Sequence, residues 1–220
     1  MGCSASESGD FCLSYPNISR WLNQFHYKAS KQAMVPVSDN EIIRLIKNPS
    51  TNEKGFRILI ETYQKRVYGI IRKMVVVHED TDDIVQNTFI KAYNNINKFK
   101  GESSLFTWLY RIATNESLNF LEKKKRRYFI PLEDHVQAMD RHIDNSPYIS
   151  GDEVQKKLQK AILKLPEKQR LVFNLKYFED LSYQEISEVT NTSIGSLKAS
   201  YHHAVKKIEH TLKADDLYPK

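Results

Sequence analysis

The stretch that decides the fold is Ser182-Tyr183-Gln184-Glu185-Ile186-Ser187-Glu188-Val189-Thr190-Asn191-Thr192-Ser193-Ile194-Gly195-Ser196-Leu197-Lys198-Ala199-Ser200-Tyr201-His202-His203-Ala204-Val205-Lys206-Lys207-Ile208. Ser182 followed three residues later by Glu185 is a capping-box pattern. The hydroxyl accepts from a free N–H of the first turn while the carboxylate reaches back. A short helix follows with Ile186 and Val189 inward, and the polar turn Thr190-Asn191-Thr192-Ser193 ends it. The next helix carries Ile194, Leu197, Tyr201, Ala204 and Ile208 in three-four alternation, the period of one buried face. A short helix, a tight polar turn and a longer helix with basic and His residues outward read as a helix-turn-helix.

The outward positions of the longer helix are Ser196, Lys198, Ser200, His202, His203, Lys206 and Lys207. Ser and His hydrogen-bond base edges, and Lys neutralises phosphate. Such a face on a lone helix is usually just solvated. The capped helix and four-residue turn ahead of it point to DNA instead. Adjacent His202 and His203 do not share a helical face and have no correctly spaced third ligand, so no metal site is expected.

Toward the N-terminus, Val154, Leu158, Ala161 and Leu165 mark another helix face, and Pro166 suits the first turn of a helix with Leu171, Val172 and Leu175 inward. Ahead of these lies a segment, residues 129–153, holding Glu133, Asp134, Asp140, Asp144, Asp152 and Glu153 against one base, Arg141, with Pro131 and Pro147 opposing a continuous helix. It reads as an acidic, flexible linker. Further upstream, Ser38-Asp39-Asn40-Glu41 is a capping-box pattern opening a short helix that ends near Asn48-Pro49. Phe56, Ile60, Tyr63, Val67, Ile70 and Met74 then step by four and three along one helical face. Val85, Phe89, Ala92 and Ile96 continue the period, with Asp82 and Asp83 expected in that helix's first turn. After a break at Lys98–Ser103 containing Gly101, Ser103 is expected to cap a long helix with Leu105, Trp108 and Ile112 inward, running to Lys123-Lys124-Lys125-Arg126-Arg127.

The expected fold is therefore all-α: two small helical domains joined by an acidic flexible linker, the C-terminal one a helix-turn-helix. The divisions are an extension at 1–37, a first domain at 38–128, the linker at 129–152, the second domain at 153–213 and a tail at 214–220. Composition agrees. The 220 residues carry 33 Lys+Arg and 27 Asp+Glu, a formal net charge of +6, with 40% apolar and 27% charged residues. The longest apolar run, Met74-Val75-Val76-Val77, falls far short of the ~20 residues a spanning helix needs. Seven Gly and seven Pro are too few turn formers for a many-stranded β-fold. Cys3 and Cys12 build no disulfide framework, so a reducing, cytoplasmic setting is expected.

In residues 99–119, Phe99, Lys100, Phe106, Trp108, Tyr110 and Arg111 interleave aromatic and basic side chains, with Asn115 and Asn119 four apart on one face. Aromatic faces stack on unpaired bases and Asn reads base edges, although an aromatic set at helical spacing is more often core. Asp82, Asp83, Gln86 and Asn87 form a polar face suited to docking rather than acid–base catalysis. Neither a phosphate-binding glycine loop nor a nucleophile elbow nor a zinc-protease motif occurs, so no enzyme, cofactor or small-molecule substrate is expected. Met1-Gly2-Cys3-Ser4-Ala5-Ser6 fits the loose myristoylation pattern, for which chance is the better explanation.

The runs Asp82–Tyr93 and Phe99–Asn115, together with Leu165-Pro166-Glu167-Lys168-Gln169-Arg170 and Leu181-Ser182-Tyr183-Gln184-Glu185-Ile186, resemble motifs of the bacterial sigma-70 family. The match spans about residues 39–212, in order and with the expected gap, and is to the small extracytoplasmic-function (ECF) class, which has two helical domains. The resemblance implies a factor that binds core RNA polymerase and directs promoter-specific initiation. It implies that Asp82, Asp83, Gln86, Asn87 and Phe89 dock on core polymerase, with asparagine at 87 where the family usually has an acid. It assigns the melted −10 element to Lys100, Gly101, Glu102, Ser103, Ser104, Trp108, Arg111, Asn115 and Asn119. The −35 duplex falls to Ser182, Tyr183, Ser193, Ser196, Lys198, Ser200, His202, His203 and Lys206. Ser200 and His203 stand where arginines are usual, which leaves fewer bidentate guanine readers. The acidic linker would thread toward the polymerase cleft, and an anti-sigma factor is a common partner in this class. Residues 1–37 lie outside the resemblance, and Met34, just before the capped first helix, is the expected true start. The alternatives are a helix-turn-helix regulator that is not a polymerase subunit, a nucleic-acid-processing enzyme and a lipid-anchored interaction protein.

Overall fold

The computed structural model describes residues 37–128 and 153–214, all helices and connections among those residues. The expectations for the N-terminal extension, Met34, the acidic linker and the last residues of the tail lie outside the described residues. Helix α1 (Asp39–Lys47) starts at Ser38, whose Oγ accepts from the Glu41 N–H at 3.3 Å. The reciprocal arm of the expected box is absent: Glu41 instead forms a fork with Arg44 at 2.8 Å on each oxygen. That ion pair holds the Glu41 carboxyl below its ordinary range.

Helix α2 (Asn52–Val75) crosses α1 at Gly55, where a Cβ would stand 2.6 Å from the Ile46 nitrogen. The start of α2 also satisfies free carbonyls at the end of α1: Thr51 Oγ1 donates to Leu45 O at 2.9 Å and Asn52 Nδ2 to Ile46 O at 2.6 Å. Every apolar residue expected on the inner face of α2, from Phe56 to Met74, is buried.

Helix α3 spans His78–Asn95 and starts earlier than expected, so Glu79 and Asp80 occupy its first turn and Asp82 and Asp83 sit just beyond it. Phe89, Ala92 and Ile96 are buried as expected, whereas Val85 is half-buried and its neighbour Ile84 takes the inner position there. A 3-10 turn (Ile96–Lys98) leads to Gly101, whose φ of +79° favours glycine, and then to helix α4 (Leu105–Tyr128). Ser104, not Ser103, caps α4, its Oγ accepting from the Thr107 N–H at 3.0 Å. The Asp39 carboxylate accepts from the Leu105 N–H at 3.3 Å and from the Tyr63 hydroxyl, which pins three helices at one point.

The inner face of α4 is also wider than its period suggests. Leu105, Leu109, Tyr110, Ala113 and Leu121 are buried, and Trp108 and Ile112, expected inward, are half-buried. The reason is that α4 packs against α2, α3 and a later helix of the second half at once. Thr114 and Ser117 tolerate burial because each hydroxyl donates at 2.8 Å to the carbonyl four residues back.

The second half comprises α5 (Glu153–Leu163), α6 (Glu167–Tyr177), α7 (Tyr183–Thr190) and α8 (Ile194–Ala214). Pro166 takes the N-cap position of α6 rather than its first turn. Leu171, Val172 and Leu175 are buried as expected, as are Ala161 and Leu165, while Leu158 is half-buried and the Val154 side chain lies outside the description. Ala161, Ile162, Leu165, Phe173, Ala204 and Ile208 form a small core of α5, α6 and α8. A larger core continues from Phe56 and Leu59 of α2 through Leu171, Ile186 and Leu197. The two helical halves therefore pack on each other and share apolar surface.

Candidate nucleic-acid interface

The helix-turn-helix is built as its sequence prescribes. The capping box is complete: Ser182 Oγ accepts from Glu185 N–H at 3.2 Å, and Glu185 Oε2 accepts from the Ser182 N–H at 2.8 Å. Those hydrogen bonds hold the Glu185 carboxyl below its ordinary range. Asn191 closes α7 in the left-handed region, at φ 52° and ψ 42°, a conformation Asn tolerates well. Ser193 Oγ then accepts from the Ser196 N–H at 3.4 Å and starts α8.

Leu197, Ala204 and Ile208 hold α8 to the body, which leaves Ser196, Lys198, His202, His203 and Lys206 exposed and Ser200 half-buried along its outer side. Ile194, expected inward, is 38% exposed at the open end of the helix. Among the assigned −35 residues, Ser182 has its hydroxyl engaged in the capping box, donating to Glu185 Oε2 at 2.7 Å. Tyr183 is half-buried, edge-on to Tyr201 at 6.4 Å, with the Lys198 ammonium 5.8 Å from its ring.

Between α3 and α4 lies an open pocket of about 320 Å³ lined by Lys91, Asn95, Lys98, Trp108, Ile112, Asn115 and Glu116. Its floor is apolar. Trp108 leans on buried Phe99 with ring centroids 5.4 Å apart, and Ile112 lies one turn along. Its polar lining is Asn115, Lys98, Asn95, whose amide donates to the Lys91 carbonyl at 2.9 Å, and the Lys91–Glu116 ion pair at 2.5 Å. A stacking surface with amide edges and a cation beside it suits an unpaired base attached to its phosphate.

Of the residues lining this pocket, Trp108 and Asn115 were singled out in the sequence. Lys91, Asn95, Lys98, Ile112 and Glu116 were not, because they come together only when α3 packs on α4; the four-residue spacing of Lys91 and Asn95 was the available signal. Lys100, Gly101, Glu102, Ser104, Arg111 and Asn119 are exposed around the same end and outer face of α4, and Ser103 is half-buried. Of the aromatics singled out nearby, Tyr110 and Phe99 are core, and Phe106 is covered by the Arg66 guanidinium at 3.7 Å.

The acidic face of α3 is a separate surface. Asp83 and Asn87 are exposed and Asp82 and Gln86 half-buried, but Phe89 is fully buried. Phe89 belongs to the core and offers no docking surface. Loss of hydration against neighbouring atoms, followed by the charges of Asp80 and Asp82, holds the Asp83 carboxyl above its ordinary range although the residue as a whole is exposed. A guanidinium brought to this face would relieve that repulsion.

Family models for Sigma-70 region 2 and Sigma-70, region 4 match residues 59–127 and 155–208. The ECF RNA polymerase sigma-E factor of Haemophilus influenzae is 32% identical over 173 residues, covering 74% of this chain and 89% of that relative. The chain belongs to the ECF sigma factors of the sigma-70 family. The ECF RNA polymerase sigma factor SigW of Bacillus subtilis is 31% identical over 170 residues, covering 74% of this chain and 91% of SigW. Two solved structures share the fold of this sigma factor. RpoE of Bartonella quintana, in complex with the anti-sigma factor NepR, superposes with a TM-score of 0.59 at 23% identity, covering 74% of this chain and 99% of that one. CnrH, in complex with the cytosolic domain of CnrY, gives 0.58 at 20% identity over 80% and 98%. As a sigma factor, the protein binds core RNA polymerase and directs promoter-specific transcription initiation. Among the described residues no helix is long and apolar enough to cross a membrane.

Proposed function

We propose how this sigma factor divides that work among its residues. Residues 38–128 act as region 2, and 153–213 as region 4. The acidic face of Asp82, Asp83, Gln86 and Asn87 docks on a cationic surface of core polymerase. The pocket between α3 and α4 takes one unpaired base of the −10 element, stacked on Trp108 and read by Asn115, with Lys98 on the adjoining phosphate. Arg111, Asn119 and the Lys100–Ser104 loop hold the rest of the melted strand. Extruding a base costs a few kcal/mol of stacking, which the pocket returns.

The exposed side of α8 reads the −35 element in the major groove through Ser196, Lys198, His202 and His203, while Lys206 neutralises phosphate. Ser193 and the start of α8 face the backbone there. The sigma factor works in the cytoplasm without catalytic chemistry of its own, and an anti-sigma protein restrains it, a reading supported by the similar RpoE solved with NepR.

The observation that carries this division is the pocket between α3 and α4, which brings Trp108, Asn115 and Lys98 together. The test is run-off transcription by purified core polymerase, with and without this chain, on a genomic promoter library. Selective start sites that vanish with Asn115→Ala and shift with His203→Ala are expected. A chain that binds its DNA equally well without polymerase and confers no start-site choice is instead a free-standing helix-turn-helix regulator.

A further inference from the structure

One exposed apolar side chain on α8 is used by none of the contacts assigned to that helix. Among the described residues the exposed large apolar side chains are Tyr177, Phe178 and Ile194. Tyr177 and Phe178 meet edge to face at 5.0 Å, and both rings lie against buried Phe173, so their exposure belongs to an aromatic cluster at the end of α6. Ile194 is instead the first residue of α8. Its period would turn it inward with Leu197 and Ala204, both fully buried, yet 38% of it stays open to water. An isoleucine left there forfeits much of the free energy that burial would return.

The position is not an arbitrary one. Residues four apart lie on one row of a helix surface, and Ile194, Lys198, His202 and Lys206 form such a row, exposed along its whole length. The last three are the residues given to the −35 duplex. Ile194 extends their row at its N-terminal end, the end from which a recognition helix reaches base edges. No acidic residue stands in the first turn to repel phosphate. Gly195 adds clearance: a Cβ there would meet no atom within 4 Å, so the fold leaves that flank open for a duplex to close on.

The polar side chains beside Ile194 are engaged with each other. Ser193 Oγ donates to Ser196 Oγ at 3.0 Å and accepts from the Ser196 N–H at 3.4 Å. A base edge arriving at this end therefore meets a branched hydrocarbon. Of the four bases only thymine carries an apolar substituent in the major groove, its C5 methyl. The donors and acceptors of the other base edges would lose water to an isoleucine and receive no hydrogen bond in return. The thymine methyl is also the part of the base edge nearest its own strand's backbone. It can thus meet the Ile194 side chain while Ser193 and the peptide N–H groups of the first turn face phosphate.

We propose that Ile194 is a specificity-determining residue of the −35 contact, its side chain packing on the C5 methyl of one thymine. The contact rests on the reading of α8 as the −35 helix and adds a requirement which that reading lacks, a T·A pair chosen by its methyl group. The test uses the full chain assembled with core polymerase and a promoter selected in the run-off experiment. Each thymine of the −35 element, on either strand, is replaced singly by deoxyuridine, which removes the methyl and keeps every hydrogen-bonding group of the base. Loss of one buried methyl should weaken wild-type binding ~fourfold at one position and leave the others nearly unchanged. Ile194→Ala should bind the unmodified promoter ~fourfold or more weakly and no longer distinguish thymine from uracil at that position.

Wild-type binding that is indifferent to uracil at every −35 thymine overturns the proposal. So does an Ile194→Ala chain that keeps the full uracil penalty. Should that variant not fold, by circular dichroism, Ile194→Val decides: its penalty must shrink, and an unchanged one refutes the contact. The reading of α8 fails in a different way, when His203→Ala and Lys206→Ala leave −35 binding untouched, and it takes this contact with it. A uracil series without effect, beside His203 and Lys206 variants that do weaken or redirect binding, sinks the Ile194 contact alone.

Discussion

Replacing Trp108 by alanine removes the floor of the pocket between α3 and α4. Stacking of one base on an aromatic ring contributes ~1–3 kcal/mol. At ~1.4 kcal/mol per tenfold, the single-stranded contact should weaken ~5–150-fold. Trp108 is half-buried and leans on Phe99 at 5.4 Å, so truncation also costs folding stability, ~2 kcal/mol against the ~3–5 of a fully buried tryptophan. Trp108→Phe separates the two effects, since it keeps a stacking face and much of the packing. The assay is permanganate reactivity of melted thymines at a promoter bound by preassembled holoenzyme, with affinity for core polymerase titrated in parallel. The alanine variant should lose melting by the factor above while its core affinity changes less than ~twofold, and the phenylalanine variant should lie between it and wild type. Alanine that melts promoters like wild type would refute the pocket as the base site. An equal loss of core affinity would do the same.

Three other places carry expected outcomes: the α1–α2 crossing, the capping box and the outer face of α8. Gly55→Ala, despite alanine's better helix propensity, should lower stability to urea by ~1–3 kcal/mol, because the new Cβ meets backbone at Ile46 N 2.6 Å away; a stability gain would show that α1 can shift freely. Ser182→Ala should cost ~0.5–2 kcal/mol in urea unfolding through loss of the N-cap. Because Glu185 has a lowered folded pKa, its contribution is present above the unfolded value of ~4.3 and is lost as pH falls through the folded one; the stability gap between wild type and Glu185→Gln should therefore close in acid, and a gap that widens there contradicts the assignment. Lys206→Ala should weaken duplex binding on all sequences and reduce the slope of log K against log salt by ~0.9, whereas His203→Ala should change preference at one −35 base pair; a Lys206 effect limited to one base pair would break that sorting, which filter binding across salt concentrations and mutated sites can read.

Much of this architecture could be read locally. The Ser182–Glu185 box, the Thr190–Ser193 turn and the steps from Phe56 to Met74 involve residues three or four apart, and the structure places all of them where the pattern says. The errors have a common form. Val85, Trp108, Ile112 and Ile194 sit at the edges of their helical stripes, and whether an edge position is covered depends on which helix crosses there. Phe89 shows the same limit: it follows the polar face of Asp82, Asp83, Gln86 and Asn87 along the chain, yet points into the core.

The site was half legible for the same reason. Trp108 and Asn115 announce themselves within α4, but Lys91, Asn95 and Lys98 join them from α3 and its following turn. Hydrophobic period, caps and turn residues act over one or two helical turns, so the amino-acid sequence by itself determined an all-α chain ending in a helix-turn-helix. Which faces of those helices meet was decided only by tertiary packing. Lys73 and Glu179 stand 106 positions apart, and no local pattern can announce a contact whose energy exists only after two distant surfaces have lost their water.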